Sequence, residues 1–363
     1  MRAAVLHSIG DEKFDIRDDL TLLGPGPGEV RVRVRAAGVC HSDLSARGGA
    51  LPQPVPAVLG HEAAGDVVEV GAGVDDLEPG DRVVVNWLPA CGSCPYCRRG
   101  EPYLCLAQVM TGYAVPRFLL GATPVFGMAG CGAFAEEIVV PRPGAVKIDP
   151  DVPYEVAALV GCGVMTGVGA VVNTAAVRPG DTVVVIGCGG VGISAIQGAR
   201  VAGASVIVAV DTEPAKHELA LRFGATHAVA PEGLSDLTGE VTGGVGFDYA
   251  FDVVAVPQTL RTAWTAARRG GAIVVVGAGR VDHLVEFTPF ELLFEGKRIL
   301  PSLYGSGDPA RDFPLLLSLW RAGRLDLEGM ISHRLRLDQL DDAFAGLGRG
   351  DVVRQVILHD TGA

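Results

Sequence analysis

Residues Val30 to Arg35 alternate valine with arginine. A period of two places the three valines on one side of the chain, which predicts a strand with one buried face. Val67–Val70 and Asp81–Val85 predict further strands, separated by turns such as Glu78-Pro79-Gly80-Asp81. No long helical period appears before about residue 150, so this part reads as a mostly β domain with irregular loops. From Thr182 the pattern changes. Val183-Val184-Val185-Ile186 is a continuous apolar run, as in a parallel strand covered on both faces. A glycine turn, a helical stretch from Ile193 to Ala202 and a second apolar run from Ser205 to Val210 follow. Phe247–Asp252 and Gly271–Gly277 predict more strands, and Ala215–Phe223 and Thr259–Arg268 predict helices. The rhythm fades after about residue 304, and Val353–Leu358 predicts a last strand returned to the first domain. The expected fold class is α/β. A mostly β first domain covers 1–163, a doubly wound parallel-sheet domain covers 164–303, and 304–363 returns to the first.

Composition narrows the function. The chain has 363 residues, 48% apolar and 20% charged, with a net charge of −12. That is enough apolar content for two cores, and the wrong sign for a nucleic-acid surface. The N-terminus lacks the apolar core of a signal peptide, and glycine, proline and charges interrupt the most apolar region, around 159–210. The expectation is a cytoplasmic protein with no membrane and no nucleic-acid partner. Thiols stay reduced there, so the eight cysteines read as metal ligands or small buried residues before they read as disulfides.

Cys91, Cys94, Cys97 and Cys105 fall within fifteen residues, in a lobe of about 88–108 rich in Gly, Pro and Arg. Four thiolates at such spacing close a tetrahedral shell, which is the pattern of a structural zinc. Gly187-Cys188-Gly189-Gly190-Val191-Gly192 lies between a strand and a helix, and Asp211 ends the next strand. This is the full dinucleotide fingerprint. Gly187 makes the turn, Gly189 lets the backbone approach a pyrophosphate, and Gly192 lets helix and strand pack closely. The helix N-terminus offers free N–H groups to the phosphates. Asp211 can accept from both ribose hydroxyls and would repel a 2′-phosphate, which favours NAD. Cys40-His41-Ser42-Asp43, Gly60-His61-Glu62 and Gly161-Cys162-Gly163 mean little separately. Together, Cys40, His61 and Cys162 leave one tetrahedral position open, the pattern of a catalytic zinc.

With these features in this order, the whole chain resembles the zinc-dependent medium-chain alcohol dehydrogenases, in the horse-liver-like branch that carries a structural zinc lobe. Gly60-His61-Glu62-x2-Gly65-x5-Gly71-x2-Val74 matches the zinc signature of that family. The resemblance implies a GroES-like first domain, two zinc ions per chain, NAD, a small alcohol or aldehyde substrate and a homodimer. It implies that Cys40, His61 and Cys162 hold the catalytic zinc with Glu62 just behind, that Asp43 orients His61, and that Ser42 hydrogen-bonds the alcohol. His41 and Arg354 would contact the pyrophosphate, Lys216 would lie near the adenosine ribose, and Thr166 and Val191 would press the nicotinamide toward the zinc. Zinc would lower the pKa of the alcohol, and its carbon would pass hydride to the nicotinamide in a dry cleft.

The sequence also departs from the family. Ser45 stands where many members have a histidine that passes the proton onward. The loop Ala46–Pro56 holds Arg47 and no acid, where the glutathione-dependent branch carries acidic residues. Trp87, with Leu51 opposite, suggests an apolar pocket for aromatic or medium-chain substrates. The rival expectations are an oxidoreductase of the same family acting on a thiol adduct or a specialised biosynthetic substrate, and a non-catalytic protein that binds zinc and NAD.

Overall fold

The computed structural model describes residues 1–105, 107, 113–349 and 352–359. The last part of the expected cysteine lobe, at 106 and 108, lies outside the described residues. The chain divides into two compact units. One contains Met1–Cys162, Asp308–Leu319 and the chain from Leu327; the other contains Gly163–Gly307 and Trp320–Asp326. Residues 304–307 and 320–326, which the sequence assigned to the returning segment, thus group with the second unit.

In the first unit the strand Glu29–Val39 is the hub. It pairs antiparallel with Glu62–Val70, Glu137–Pro141 and Arg354–Leu358 in a seven-stranded sheet. Val30, Val32 and Val34 are fully buried. The alternating arginines lie on the other face against carboxylates: Arg31 and Arg33 against Glu137, and Arg35 against Asp66 at 2.7 Å. From Ala36 to Val39 the strand is buried throughout. A second sheet of six strands includes Ala3–Leu6 and Ala57–Val58, and Phe118, Phe134 and Phe344 join the common core. The last strand, Arg354–Leu358, brings the distant end of the sequence beside Val39.

The second unit is a six-stranded parallel sheet. Its spatial order is His227–Val229, Val206–Val210, Thr182–Ile186, Phe247–Asp252, Ala267–Val275 and Arg298–Pro301. The order reverses direction about Thr182–Ile186, which puts a switch point at the carboxyl ends of Thr182–Ile186 and Phe247–Asp252. Val183, Val184 and Val185 are fully buried, as a strand covered on both faces requires. The helix predicted from Ile193 begins at Gly190, because the glycine turn itself supplies the first helical turn.

The sequence reading missed the helical run Tyr154–Ala175. Two wide π turns, Val160–Val164 and Ala170–Ala175, interrupt its α-helical parts. Its glycines argue against a helix by propensity, but they serve close packing. A Cβ on Gly161 would lie 3.1 Å from the Val85 carbonyl oxygen, and one on Gly167 would lie 2.3 Å from that of Val191. By length and composition this run could cross a membrane, yet 83% of its apolar window is buried within the protein.

Candidate active site

Cys40 follows the strand Glu29–Val39 and is the N-cap residue of the helix His41–Arg47. Gly60 makes the turn before His61 with φ +90, a conformation that favours glycine, and a Cβ there would lie 2.9 Å from the Phe134 ring. Asp43, fully buried, ties the two segments together. Its Oδ2 accepts from the Cys40 N–H at 2.9 Å. Its Oδ1 accepts from the Gly60 N–H at 3.0 Å and lies 3.2 Å from His61 Nδ1. A proton held on Nδ1 by Asp43 leaves the Nε2 lone pair free for a metal.

Cys162 lies on the first π turn of the long helix. The donor atoms of Cys40, His61, Glu62 and Cys162 lie within 4.8 Å of one another, and all four residues are buried. A tetrahedral zinc with bonds of about 2.0–2.3 Å separates its ligand atoms by roughly 3.3–3.8 Å, so the set fits that ion. The Cys40 thiol is pulled well below its usual range by a hydrogen bond with Cys162 and by His61, against the effect of burial. Cys162 is pushed well up by the same bond and by burial. Burial would lower the His61 pKa, but Asp43 and Cys40 hold it well above the ordinary range.

Glu62 begins its strand opposite Gly38. A Cβ on Gly38 would lie 2.2 Å from Glu62 Oε2, so this glycine makes room for the carboxylate. Burial raises the Glu62 pKa to about 8, while Arg354 opposes that shift. Arg354 was expected to face a pyrophosphate. It is only 4% exposed, and its Nη1 donates to Glu62 Oε1 at 3.2 Å. Its Nε and Nη2 have no hydrogen-bond partner among the described residues. Burial works against its charge, but Glu62, Cys40 and Cys162 outweigh that and raise its pKa. Sequence reasoning missed this pair. Its signal was a charge inside the strand Val353–Leu358, whose remaining residues apart from Gln355 are apolar.

Ser42 Oγ lies 3.8 Å from Cys40 Sγ, and His41 is exposed on the first turn of the same helix. The Trp87 ring stands edge-on to His61, with centroids 6.1 Å apart. Buried Asn86 braces this turn, its N–H donating to Gly144 and its Oδ1 accepting from the Leu88 N–H. Leu51 is half-buried where the chain leaves the helix, with its N–H on the Ser45 carbonyl. The Arg47 guanidinium lies 4.7 Å from the Phe344 ring centroid and 5.9 Å from that of Phe14.

In the lobe, the sulfurs of Cys91, Cys94, Cys97 and Cys105 also lie within 4.8 Å of one another, and none forms a disulfide. Cys94 and Cys97 Sγ are 3.5 Å apart, close to the spacing of tetrahedral thiolates. The N–H groups of Cys91 and Cys94 point at the sulfurs of Cys105 and Cys91, at 3.3 and 3.4 Å. Backbone N–H groups of Ser93 and Cys94 pull the Cys91 thiol down to about 6, whereas burial pushes Cys97 up to about 12. Cys131 and Cys188 are buried singly, and burial lifts each to about 12.

In the second unit, Gly187 has φ +97, and a Cβ on Gly192 would lie 1.8 Å from the Gly187 carbonyl oxygen. A Cβ on Gly189 would meet nothing within 4 Å, so the turn is open on the side where the fingerprint holds a pyrophosphate. Gly190 and Val191 start the following helix. Thr166, partly exposed, precedes Gly167, whose backbone packs on Val191. Asp211 Oδ2 accepts from the Cys188 N–H at 2.7 Å, and Oδ1 accepts from the Glu213 N–H at 3.0 Å. Lys216 Nζ stands 3.7 Å from the same carboxylate, and His217 Nε2 is 2.8 Å from the Asp211 carbonyl oxygen. The sequence reading had given His217 no place here. These residues fit a dinucleotide.

The sequence profile described as "Alcohol dehydrogenase GroES-like domain" matches residues 26–150, and that described as "Zinc-binding dehydrogenase" matches 190–321. A Mycobacterium tuberculosis protein named an alcohol dehydrogenase (D) is 41% identical over 98% of this chain and 99% of its own. An Escherichia coli S-(hydroxymethyl)glutathione dehydrogenase is 37% identical over 99% of both. The crystal structure of benzyl alcohol dehydrogenase from Acinetobacter calcoaceticus superposes with a TM-score of 0.91, at 32% identity and 99% coverage of both chains. The chain belongs to the zinc-dependent medium-chain alcohol dehydrogenases.

Proposed function

We propose that the protein is an NAD-dependent alcohol dehydrogenase with one catalytic and one structural zinc. It interconverts an apolar alcohol, aromatic or medium-chain, and its aldehyde. The observation that carries this reading is the convergence of Cys40, His61, Cys162 and Glu62, with donor atoms within 4.8 Å, in a chain that also holds an open glycine turn. A zinc held by Cys40, His61 and Cys162 supplies Lewis acidity, and NAD supplies the hydride acceptor.

The chain's own residues supply position. Asp43 fixes the His61 ring, and the Glu62–Arg354 pair places compensated charge behind the ligands. Ser42 takes the hydrogen bond of the substrate hydroxyl and starts its proton outward. Ser45 cannot pass that proton on as an imidazole would, so its exit would need the ribose and water, or another base. Trp87 and Leu51 line the pocket, and the likeness to a benzyl alcohol dehydrogenase supports an aromatic substrate. Asp211 selects NAD, and Lys216 lies by the adenosine ribose. His41 faces the pyrophosphate, with the two unpartnered Arg354 nitrogens as a second donor set. Thr166 and Val191 bear on the nicotinamide. Cys91, Cys94, Cys97 and Cys105 hold the structural zinc.

The reading includes a cytoplasmic homodimer. Its support is the strand Arg298–Pro301, an edge of its sheet among the described residues, together with the exposed side chains of Leu284, Phe290, Leu293 and Phe294. A second substrate reading, a thiol adduct of formaldehyde, draws on the Escherichia coli relative. The acid-free loop Ala46–Pro56 argues against glutathione as the carrier.

The test is a substrate panel followed by the absorbance of reduced nicotinamide. Benzyl and medium-chain primary alcohols should turn over with NAD far better than with NADP, and S-(hydroxymethyl)glutathione should not. Turnover of the glutathione adduct alone would select the second reading, and no turnover on any member would overturn both.

A further inference from the structure

The carboxylate of Asp252 sits at the switch point of the parallel sheet and plays no part in the chemistry above. It ends the strand Phe247–Asp252 beside the central strand Thr182–Ile186 and is fully buried. Its Oδ1 accepts from the N–H groups of Val254 and Ala255, at 3.1 and 3.0 Å. Its Oδ2 has no hydrogen-bond partner among the described residues. Buried carboxylates with a free oxygen are unfavourable, so a gain elsewhere is expected.

The turn held by Oδ1 is strained and touches the dinucleotide turn. Ala255 adopts φ +59, the left-handed region that a residue with a Cβ rarely enters. The Val253 N–H donates to the Ile186 carbonyl, one residue before Gly187. A Cβ on Gly187 would lie 2.7 Å from Val254 Cγ2, so the first glycine of the fingerprint rests directly on this turn. The chain that follows the neighbouring strand Ala267–Val275 also packs against it. The N–H groups of Val276 and Gly277 donate to the Asp252 carbonyl, and a Cβ on Gly277 would lie 2.6 Å from the Val253 carbonyl oxygen. The Thr259 hydroxyl closes the turn by accepting from the Val256 N–H at 3.2 Å.

We propose that Asp252 is a positioning residue for the dinucleotide, holding the strained turn Val253–Val256 as the buttress of Gly187 and so setting cofactor affinity. This rests on the reading of the glycine turn as a dinucleotide site, but not on NAD over NADP or on any alcohol. The buttress supports the turn that receives the pyrophosphate, which both cofactors share.

The test is binding of NADH and of NADPH to the zinc-loaded protein, followed by nicotinamide fluorescence, with Tm and steady-state kinetics alongside. Asp252→Ala should weaken both nucleotides by the same factor, about 10-fold, as expected for a lost pair of hydrogen bonds to a buried acceptor. KM for the cofactor should rise with it, and kcat should change by less than about 3-fold. Asp252→Asn keeps the acceptor and should bind both nucleotides as the wild type does. Should Asp252→Ala fail to fold, Ala255→Gly removes the strain, and D252A/A255G is compared with A255G. Weaker binding by the double variant supports the proposal. A fall in Tm with nucleotide affinity unchanged would reduce Asp252 to a structural residue and overturn it, as would a loss of affinity in Asp252→Asn equal to that in Asp252→Ala. Weak binding by the wild type would count against the cofactor reading, whereas the ratio of variant to wild type reports on Asp252.

Discussion

The Asp43 carboxylate lies 3.2 Å from His61 Nδ1 while holding the N–H groups of Cys40 and Gly60, so one side chain sets both the ring and the loop that carries it. Asn at this position would keep one acceptor but turn an NH2 group toward an N–H donor. Residues that orient a ligating histidine typically contribute about 10–100-fold to metal affinity or activity. Asp43→Asn should lose that much in zinc retention against a chelator and in kcat, with KM for the alcohol changing far less. Unchanged zinc retention and kcat would mean that Asp43 only closes the loop.

The two cysteine sets should respond differently to loss of one ligand. Cys40→Ala should drop zinc from about two ions per chain to about one and abolish turnover, because an open site loses its metal but not its fold. Cys94→Ala should also cost about one ion, but it should lower Tm by roughly 5 °C or more, since few buried apolar groups order the lobe without metal. Metal analysis and thermal unfolding of the same samples separate the two. A Cys94 variant with wild-type Tm would remove the structural role from this set.

Glu62 and Arg354 are both buried, so removing one charge leaves the other uncompensated. Arg354→Met should destabilise the first unit by about 3–5 kcal/mol in urea unfolding. Glu62→Gln with Arg354→Met should recover part of that loss, because no isolated charge remains. Equal unfolding free energies for Arg354→Met and the double variant would show that Glu62 left without Arg354 carries no uncompensated charge.

The sequence made the chemistry legible wherever residue type and spacing are local. The four cysteines of the lobe, the glycine turn with Asp211, and the strands Val183–Ile186 and Phe247–Asp252 needed no long-range information. What escaped depends on pairing across the chain. Arg354 meets Glu62 only because the last strand pairs beside Val39, a contact spanning 292 residues. The helix carrying Cys162 was hidden because its glycines answer to neighbours, Gly161 to Val85 and Gly167 to Val191, and not to local helix propensity. Arg47 read as a charge in the substrate loop, but its guanidinium packs on Phe344, some three hundred residues away in sequence.

Asp248 offers a pH test of the second unit. Its Oδ2 accepts from the Thr182 N–H and hydroxyl at 2.8 and 2.9 Å, and its Oδ1 accepts from Arg268 Nε at 2.7 Å. These bonds tie the starts of the two central strands. Burial pushes the Asp248 pKa up, but the Thr182 N–H, Arg268 and the Thr182 hydroxyl outweigh it and leave it below the ordinary value. A carboxyl whose folded pKa is depressed contributes stability above its unfolded pKa and loses it as pH falls through the folded one. The wild type should therefore lose about 1 kcal/mol from this group between about pH 5 and about pH 2, the modest size reflecting its partial exposure. Asp248→Asn should start less stable at neutral pH and converge on the wild type in acid, as read from urea midpoints across that range. A constant difference between the two at every pH would mean that the Asp248 charge contributes nothing, and that only its hydrogen-bonding shape does.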